Sequence, residues 1–321
     1  MRLIAAAAVV MAMVGASVPV QAQSYPTRTI RLIVPFPAGG PVDVMGRLIA
    51  QSLSSSLGQQ VIVDNRPGAG STLAGREAAR AQPDGYTLLL GSAATLAIGP
   101  ALFKDIGYDP IDSFSPVAFM SSVPYVMVAG PKAPAKTVKD VIAYAKANSG
   151  KLNFGVPNGA PPHMLAAWFK DVTATDIVVV PYKGAATVIT DLIGGQIDLG
   201  FETTSVTLSH VHEGSIRPLA VATTKRLPDL PEVPTMIESG VPDFIAASWT
   251  GIMAPAGTPA EIIGKLNAAI NAALRSPDMQ ARYKQLAAEA SPGTPQDFAA
   301  FITAERPKWA AMAKLSNLKP D

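Results

Sequence analysis

The feature that most constrains this chain is a repeated alternation between short apolar runs and segments of helical periodicity. Positions 30–36 (IRLIVPF) form a continuous apolar run, as expected of a strand buried on both faces. Val42, Met45, Ile49 and Leu53 then recur at helical spacing, ending near Gly58. A second strand is expected at 61–64. A helix should follow at 71–81, with Ser71 placed to cap it, and a third strand at 86–91. This β-α-β order predicts a parallel sheet with helices on both faces.

The same grammar restarts downstream. A strand is expected at 123–129, and Thr137-x-x-Asp140 has the form of a capping box opening a helix to Ala147. Further short strands fall at 152–156, 177–182, 197–201 and 219–223, with helical segments between them. Pro228, Pro231, Pro234 and Pro242 then mark an ordered surface wrap, too rigid for a flexible linker. A last strand at 247–254 precedes helices at 259–274, 278–288 and 295–314. Two such units and a helical tail predict an α/β fold of two lobes. If the last strand returns to the first lobe, the chain crosses between lobes near 125–130 and near 249–255.

The amino terminus reads as a cleavable export signal. Arg2 precedes an apolar run at 3–15, and Val20-Gln21-Ala22 places cleavage after Ala22. The run is too short to span a bilayer, which takes about 20 residues. The remainder, roughly 300 residues, is long enough for two domains. It contains no cysteine, which excludes disulfides, thiolate metal sites and a cysteine nucleophile. A formal charge of +2 over the whole chain is too balanced to suggest nucleic acid as partner.

One loop carries the clearest chemistry. Phe36-Pro37-Ala38-Gly39-Gly40-Pro41-Val42-Asp43 joins a strand end to a helix start. Two glycines let backbone approach a ligand, Pro41 suits the first helical position, and the unpaired N–H groups with the helix dipole favour an anion. Asp43 should cap this helix and order the loop. A matching turn in the second unit, Pro157-Asn158-Gly159-Ala160-Pro161-Pro162-His163, could face it across a cleft. Its plausible contacts are Asn158 and the Gly159 N–H, and His163 suits capping or packing better than ligand contact. Ser92, Ala93 and Thr95 follow one strand end, and Glu202 and Thr203 another. Glu202 suits either a ligand hydroxyl or ammonium, or simply a helix start.

Other readings fail on spacing. Gly68-x-Gly70 lacks the third glycine of a dinucleotide fingerprint, because Leu73 stands there. Gly70 to Gly75 is followed by Arg76-Glu77 rather than the Lys-Ser/Thr of a phosphate loop. Only His163, His210 and His212 exist, and no nucleophile elbow or zinc-binding HExxH occurs. No catalytic residues, metal or cofactor are therefore expected.

Taken in order, these segments resemble the Bug (TctC-like) family of periplasmic solute receptors, which serve tripartite tricarboxylate transporters. The resemblance is carried by Tyr25-Pro26, IRLIVPFPAGGPVD, VIVDNRPGAG, QPDGYTLLLG and Tyr108-Asp109-Pro110. It continues through VPYKGAA, DLIGGQID, LPEVPTMIESG and Trp249-Thr-Gly with APAGTP. It implies a type 2 periplasmic-binding-protein fold with a Venus-flytrap cleft. The lobes would be 23–125 with 250–321, and 126–249. A ligand carboxylate would be held through backbone groups and ordered waters at Phe36, Ala38, Gly39, Gly40 and Asp43. Opposing contacts would come from Pro157, Asn158, Gly159 and His163, with Ser92, Ala93 and Thr95 nearby. The expected partners are a small carboxylate and the membrane subunits of such a transporter, or a membrane sensor, with the receptor monomeric. An enzyme on a two-lobed frame is the other compatible class, and turnover of a bound compound separates it.

One departure bears on the ligand. The family's second loop is usually rich in Gly and Ser before the His, where this chain has Ala160-Pro161-Pro162. Both prolines lack an N–H, so a second carboxylate finds fewer donors. The acidic Glu202 also argues against a distal anion. The expected ligand has one well-held carboxylate and a less polar or differently polar far end.

Overall fold

The computed structural model describes residues 25–318; the expected export signal lies outside them. Strands β1 (Ile30–Val34), β2 (Val61–Asn65) and β3 (Thr87–Ser92) alternate with helices α1 (Pro41–Leu57) and α2 (Thr72–Ala79). The long β4 (Phe114–Ala129) leads into α3 (Val138–Ala147), β5 (Asn153–Pro157), α4 (Pro161–Thr173), β6 (Val178–Tyr182) and α5 (Ala185–Gly194). Then come β7 (Leu199–Thr203), α6 (Thr204–His212), β8 (Arg217–Val221) and β9 (Ala247–Pro255). The chain ends with α7 (Ala260–Arg275), α8 (Pro277–Gln285), β10 (Glu289–Ala290) and α9 (Pro295–Leu315).

The strands order as β2-β1-β3-β9-β4-β7-β5-β6, with β8 and β10 also paired to β4. β1 lies parallel to β2 and β3, and β5 parallel to β6 and β7, as the β-α-β pattern requires. β4 and β9 run antiparallel to their neighbours, a departure from the all-parallel expectation. The sequence reading also missed the first part of β4, where Pro116, Ser121 and Ser122 resemble a loop. Two register shifts in its pairing with β9 absorb these residues.

β4 belongs to two half-sheets. It pairs with β9 as far as Pro124↔Ala247, then with β7 from Tyr125↔Thr203. On the return, β9 pairs with the first half of β4 from Ala247↔Pro124 to Pro255↔Phe114.

Local signals explain the helix ends. Thr137 and Asp140 form the expected capping box, with both reciprocal bonds present. Ser71 is a correction: it stands at the start of α2 but in a left-handed conformation, with no side-chain cap bond. Its hydroxyl donates to the Pro35 carbonyl at 3.4 Å instead.

The core lies on both sheet faces. Ile30, Leu32 and Val34 pack with Met45 and Ile49 of α1 and Leu266 and Ile270 of α7. Val126, Val128, Val188 and Leu192 fill the matching face of the second half-sheet. On the other side, one cluster runs from Leu96 through Tyr125 and Phe201 to Trp249 and Phe298. α9 spans both half-sheets there: Phe298 packs against Trp249 and Phe119, while Lys308 donates to the Ile245 carbonyl at 3.2 Å. No helix among the described residues is long and apolar enough to cross a membrane.

Candidate functional site

Strand register fixes where the loops point. β3 ends at Ser92 opposite Thr250, close to the Pro124↔Ala247 pair, and β1 runs parallel to β3. β7 ends at Thr203 opposite Tyr125, just past the same pair, with β5 and β6 parallel to it. The carboxyl ends of both strand sets are thus directed at one crossover from opposite sides. In open α/β sheets, ligands sit outside those ends.

The first loop is built around Asp43, which is only 1% exposed. Its Oδ2 accepts from the Gly39 N–H and from Arg47 Nε, each at 2.9 Å, and its Oδ1 accepts from Asn65 Nδ2 at 2.8 Å. Asn65, at the end of β2, also donates to the Phe36 carbonyl at 2.9 Å, while its Oδ1 accepts from Arg47 at 2.9 Å. Burial alone would raise the Asp43 pKa. The bonds from Arg47, Gly39 and Asn65 outweigh it and hold the carboxyl below the ordinary 3.8.

The expected capping role needs correction. The capping residue of α1 is Gly40, which has no side chain to offer, and Asp43 reaches back to Gly39 instead. Gly39 has φ +86°, a conformation glycine adopts without penalty. Ala38 and Gly39 are exposed, and Phe36 and Gly40 half-buried. The Ala38 and Gly40 N–H groups have no protein acceptor among the described residues. With the free N–H groups of the first helical turn, they form a donor-rich turn whose chemistry suits a carboxylate.

Ser92, Ala93 and Thr95 are buried at the end of β3. The Ser92 and Thr95 hydroxyls lie 3.4 Å apart and face each other across the turn. The chain then makes a π-helical turn at Ala94–Ile98, fixed by Tyr108 donating to the Thr95 carbonyl at 2.6 Å.

In the second loop, Pro157 is buried while Asn158 and Gly159 are exposed. The Asn158 N–H is spent on the Tyr182 carbonyl at 2.9 Å, and the Ala160 N–H on Pro157 at 3.2 Å. Pro161 and Pro162 open α4 without donors. The Gly159 N–H and the Asn158 side chain are what this turn presents. His163 lines a cavity of about 440 Å³ with Lys170, Asp171 and Leu315, and no residue of the first loop borders that space. Its Nδ1 is buried without a partner, and burial lowers its pKa.

Glu202 is 4% exposed at the end of β7, and its Oε1 has no partner. Burial raises its pKa to about 8 against a smaller opposing effect of the Thr203 N–H. Thr203, half-buried, shares a 2.8 Å hydrogen bond with Ser205. The end of β6 joins this set, because the Tyr182 carbonyl receives Asn158 and Gly184 starts α5.

The sequence reading missed three contributors: Asn65, Arg47 and the Tyr182–Gly184 turn. Arg47 was findable from its i,i+4 spacing to Asp43; Asn65 had no local signal. Among the described residues no cluster could hold a metal ion. A cavity of about 670 Å³ beside the crossover is lined by Thr204, Leu227, Lys284 and Ala287, and shares none of the expected site residues.

Two α/β half-sheets meeting at a crossover, with helix amino termini directed at it, define the two-lobe architecture of the periplasmic binding proteins. Residues 45–318 match the family model described as "Tripartite tricarboxylate transporter family receptor" (TctC), and the chain belongs to that family. Its members are periplasmic solute-binding receptors. Protein BugT of Bordetella pertussis is 38% identical over 320 residues, covering 99% of this chain and 98% of BugT. Among solved structures, Rpa4515 of R. palustris with adipate is 36% identical with TM-score 0.80, covering 92% of this chain and all of that one. MatC of Rhodopseudomonas palustris with bound malate is 32% identical with TM-score 0.77, covering 90% of this chain and all of that one.

Proposed function

We propose that this protein is an exported receptor that captures a small carboxylate-bearing metabolite between two lobes, leaves it chemically unchanged, and delivers it to the membrane subunits of a tripartite tricarboxylate-type transporter. The observation that carries this reading is the open amino terminus of α1, whose free N–H groups are held in place by buried Asp43 and its partners Asn65 and Arg47. The carboxylates in Rpa4515 and MatC support it.

The leader ends at Ala22. The lobes are 23–125 with 250–321, and 126–249, and the change of partner of β4 at Pro124 and Tyr125 supports that division. One ligand carboxylate docks on Ala38 to Asp43, and the second lobe then rotates over it. Only contacts made in the closed state favour closure, so affinity reflects both loops.

The test is a thermal-shift screen and calorimetry of residues 23–321 against mono-, di- and tricarboxylates, aromatic acids and neutral analogues. A saturable rise in melting temperature with one class of acid, and recovery of that acid unchanged, is the expected result. No shift with any acid, in protein freed of carried-over ligand, overturns it.

A further inference from the structure

The apolar core is continuous across the crossover on one face of the sheet and interrupted on the other. On the continuous face, Phe201 and Phe244 share one cluster with Trp249 and Phe298, and α9 packs against both the turn at 94–98 and α4. On the other face, Leu266 and Tyr283 belong to one cluster, while Val188 and Leu230 belong to a separate one. The cavity of about 670 Å³ borders both of these clusters, at Ala288 and at Leu230. Close-packed side chains resist being pulled apart, so a rotation of the lobes about β4 and β9 is taken up on the interrupted face.

The two walls of this gap belong to different lobes. One wall is α8 and β10, with Lys284 and Glu289; the other is the start of α6 and the wrap after β8, with Lys225 and Asp229. All four charged residues are exposed. Nearby, Arg226 is paired with Glu238 and Arg282 with Asp278, but none of these four takes part in an ion pair among the described residues. Each wall therefore presents one free cation and one free anion, each matched by a group of opposite sign on the facing wall. The rest of the lining is largely apolar, with Leu208 and Leu227 on one side and Ala281 and Ala288 on the other. One bond already spans the gap: Thr204 Oγ1 donates to the Ala287 carbonyl at 3.2 Å. Ala287 has φ +48°, a left-handed conformation that a non-glycine residue keeps only where its surroundings hold it.

We propose that the gap is an affinity-setting latch: as the lobes close over a bound carboxylate it narrows, Lys284 meets Asp229 and Lys225 meets Glu289, and these residues raise affinity without touching the ligand. This rests on the two-lobe capture reading above. The direction comes from the sheet faces. The first loop opens α1, which packs in the Leu266 cluster, and the turns after β6 and β7 open α5 and α6, which pack in the Val188 cluster. Bringing those turns together brings the two walls together. A contact made only in the closed state multiplies the apparent affinity by its own factor while that state is the minor one. An exposed ion pair contributes up to about fivefold.

The chain has no cysteine, so Thr224→Cys and Ala281→Cys, one exposed residue on each wall, take spin labels at those two sites alone. The probes are adipate, malate and each acid that raises the melting temperature. Pulsed electron paramagnetic resonance should show the label distance shortening on saturation with an acid that binds. In calorimetric titrations of unlabelled protein, Lys284→Glu and Asp229→Lys should each weaken binding about three- to tenfold. The combined swap should recover affinity to within about twofold of wild type, with ligand-free melting temperatures unchanged throughout. An acid that binds while the label distance stays constant or lengthens overturns the latch and leaves the capture reading standing. So does a swap no better than the single variants, or a ligand-free melting temperature that falls in them, which would assign the charges to the ligand-free fold. If no acid binds the wild-type protein, the capture reading fails and the latch fails with it.

Discussion

Asp43→Asn changes one oxygen to an amide and should damage the first loop out of proportion to its size. In the wild type all three partners of Asp43 are donors: the Gly39 N–H, Arg47 Nε and Asn65 Nδ2. An asparagine can keep its oxygen toward Gly39 and Arg47 only by turning its NH₂ group against Asn65 Nδ2. Asn65 cannot flip to relieve this, because its amide also donates to Phe36 and its oxygen accepts from Arg47. One part-buried donor left unsatisfied costs about 1–3 kcal/mol. Loss of the charge toward the half-exposed Arg47 adds under about 1 kcal/mol. The sum, about 1–4 kcal/mol, corresponds to a melting temperature about 2–6 °C lower for a chain of this size. Carboxylate affinity should fall about tenfold or more, since the free N–H groups are no longer held in one geometry. The pH dependence follows from the lowered pKa of Asp43. A carboxyl depressed in the folded state contributes stability above its unfolded value and loses it as pH falls through the folded one. The gap between wild type and variant should therefore be full at neutral pH and close as pH drops below 3.8. Calorimetric melts and binding titrations of both proteins between pH 3 and 7 decide it. An unchanged melt at pH 7, or a gap that persists in acid, refutes the reasoning.

Two further substitutions probe the frame. Gly251→Ala places a Cβ 2.3 Å from the Phe298 ring and 2.8 Å from the Ala118 carbonyl, so overpacking beneath α9 should cost about 1–3 kcal/mol; a wild-type melt would contradict the packing. Thr137→Ala removes the capping box of α3 and should cost about 1 kcal/mol, with Thr137→Ser restoring most of it in urea unfolding.

Whatever depends on local pattern was legible in the sequence. The apolar run of β1, the capping box at Thr137 and Asp140, Pro41 opening α1 and the glycine turn before it are each decided by a few adjacent residues. The structure shows them where expected. Tertiary structure decided the rest. Pro116 and Ser121 belong to a strand only because β9 lies alongside and register shifts absorb them. Asn65 serves the first loop only because β2 pairs with β1 and brings its end beside Asp43, 22 residues away in sequence. His163 follows Gly159 by four residues, yet it borders a cavity beside Leu315 that no residue of the first loop reaches. Glu202 is formally an anion in the sequence; burial at the end of β7 raises its pKa, because a low-dielectric surrounding disfavours the charged form. The sequence by itself determined most of the strands, helices and turns, since periodicity and turn chemistry act over a few residues. Which turns meet, and what charge they carry there, depended on pairings between distant residues that exist only once the sheet has formed.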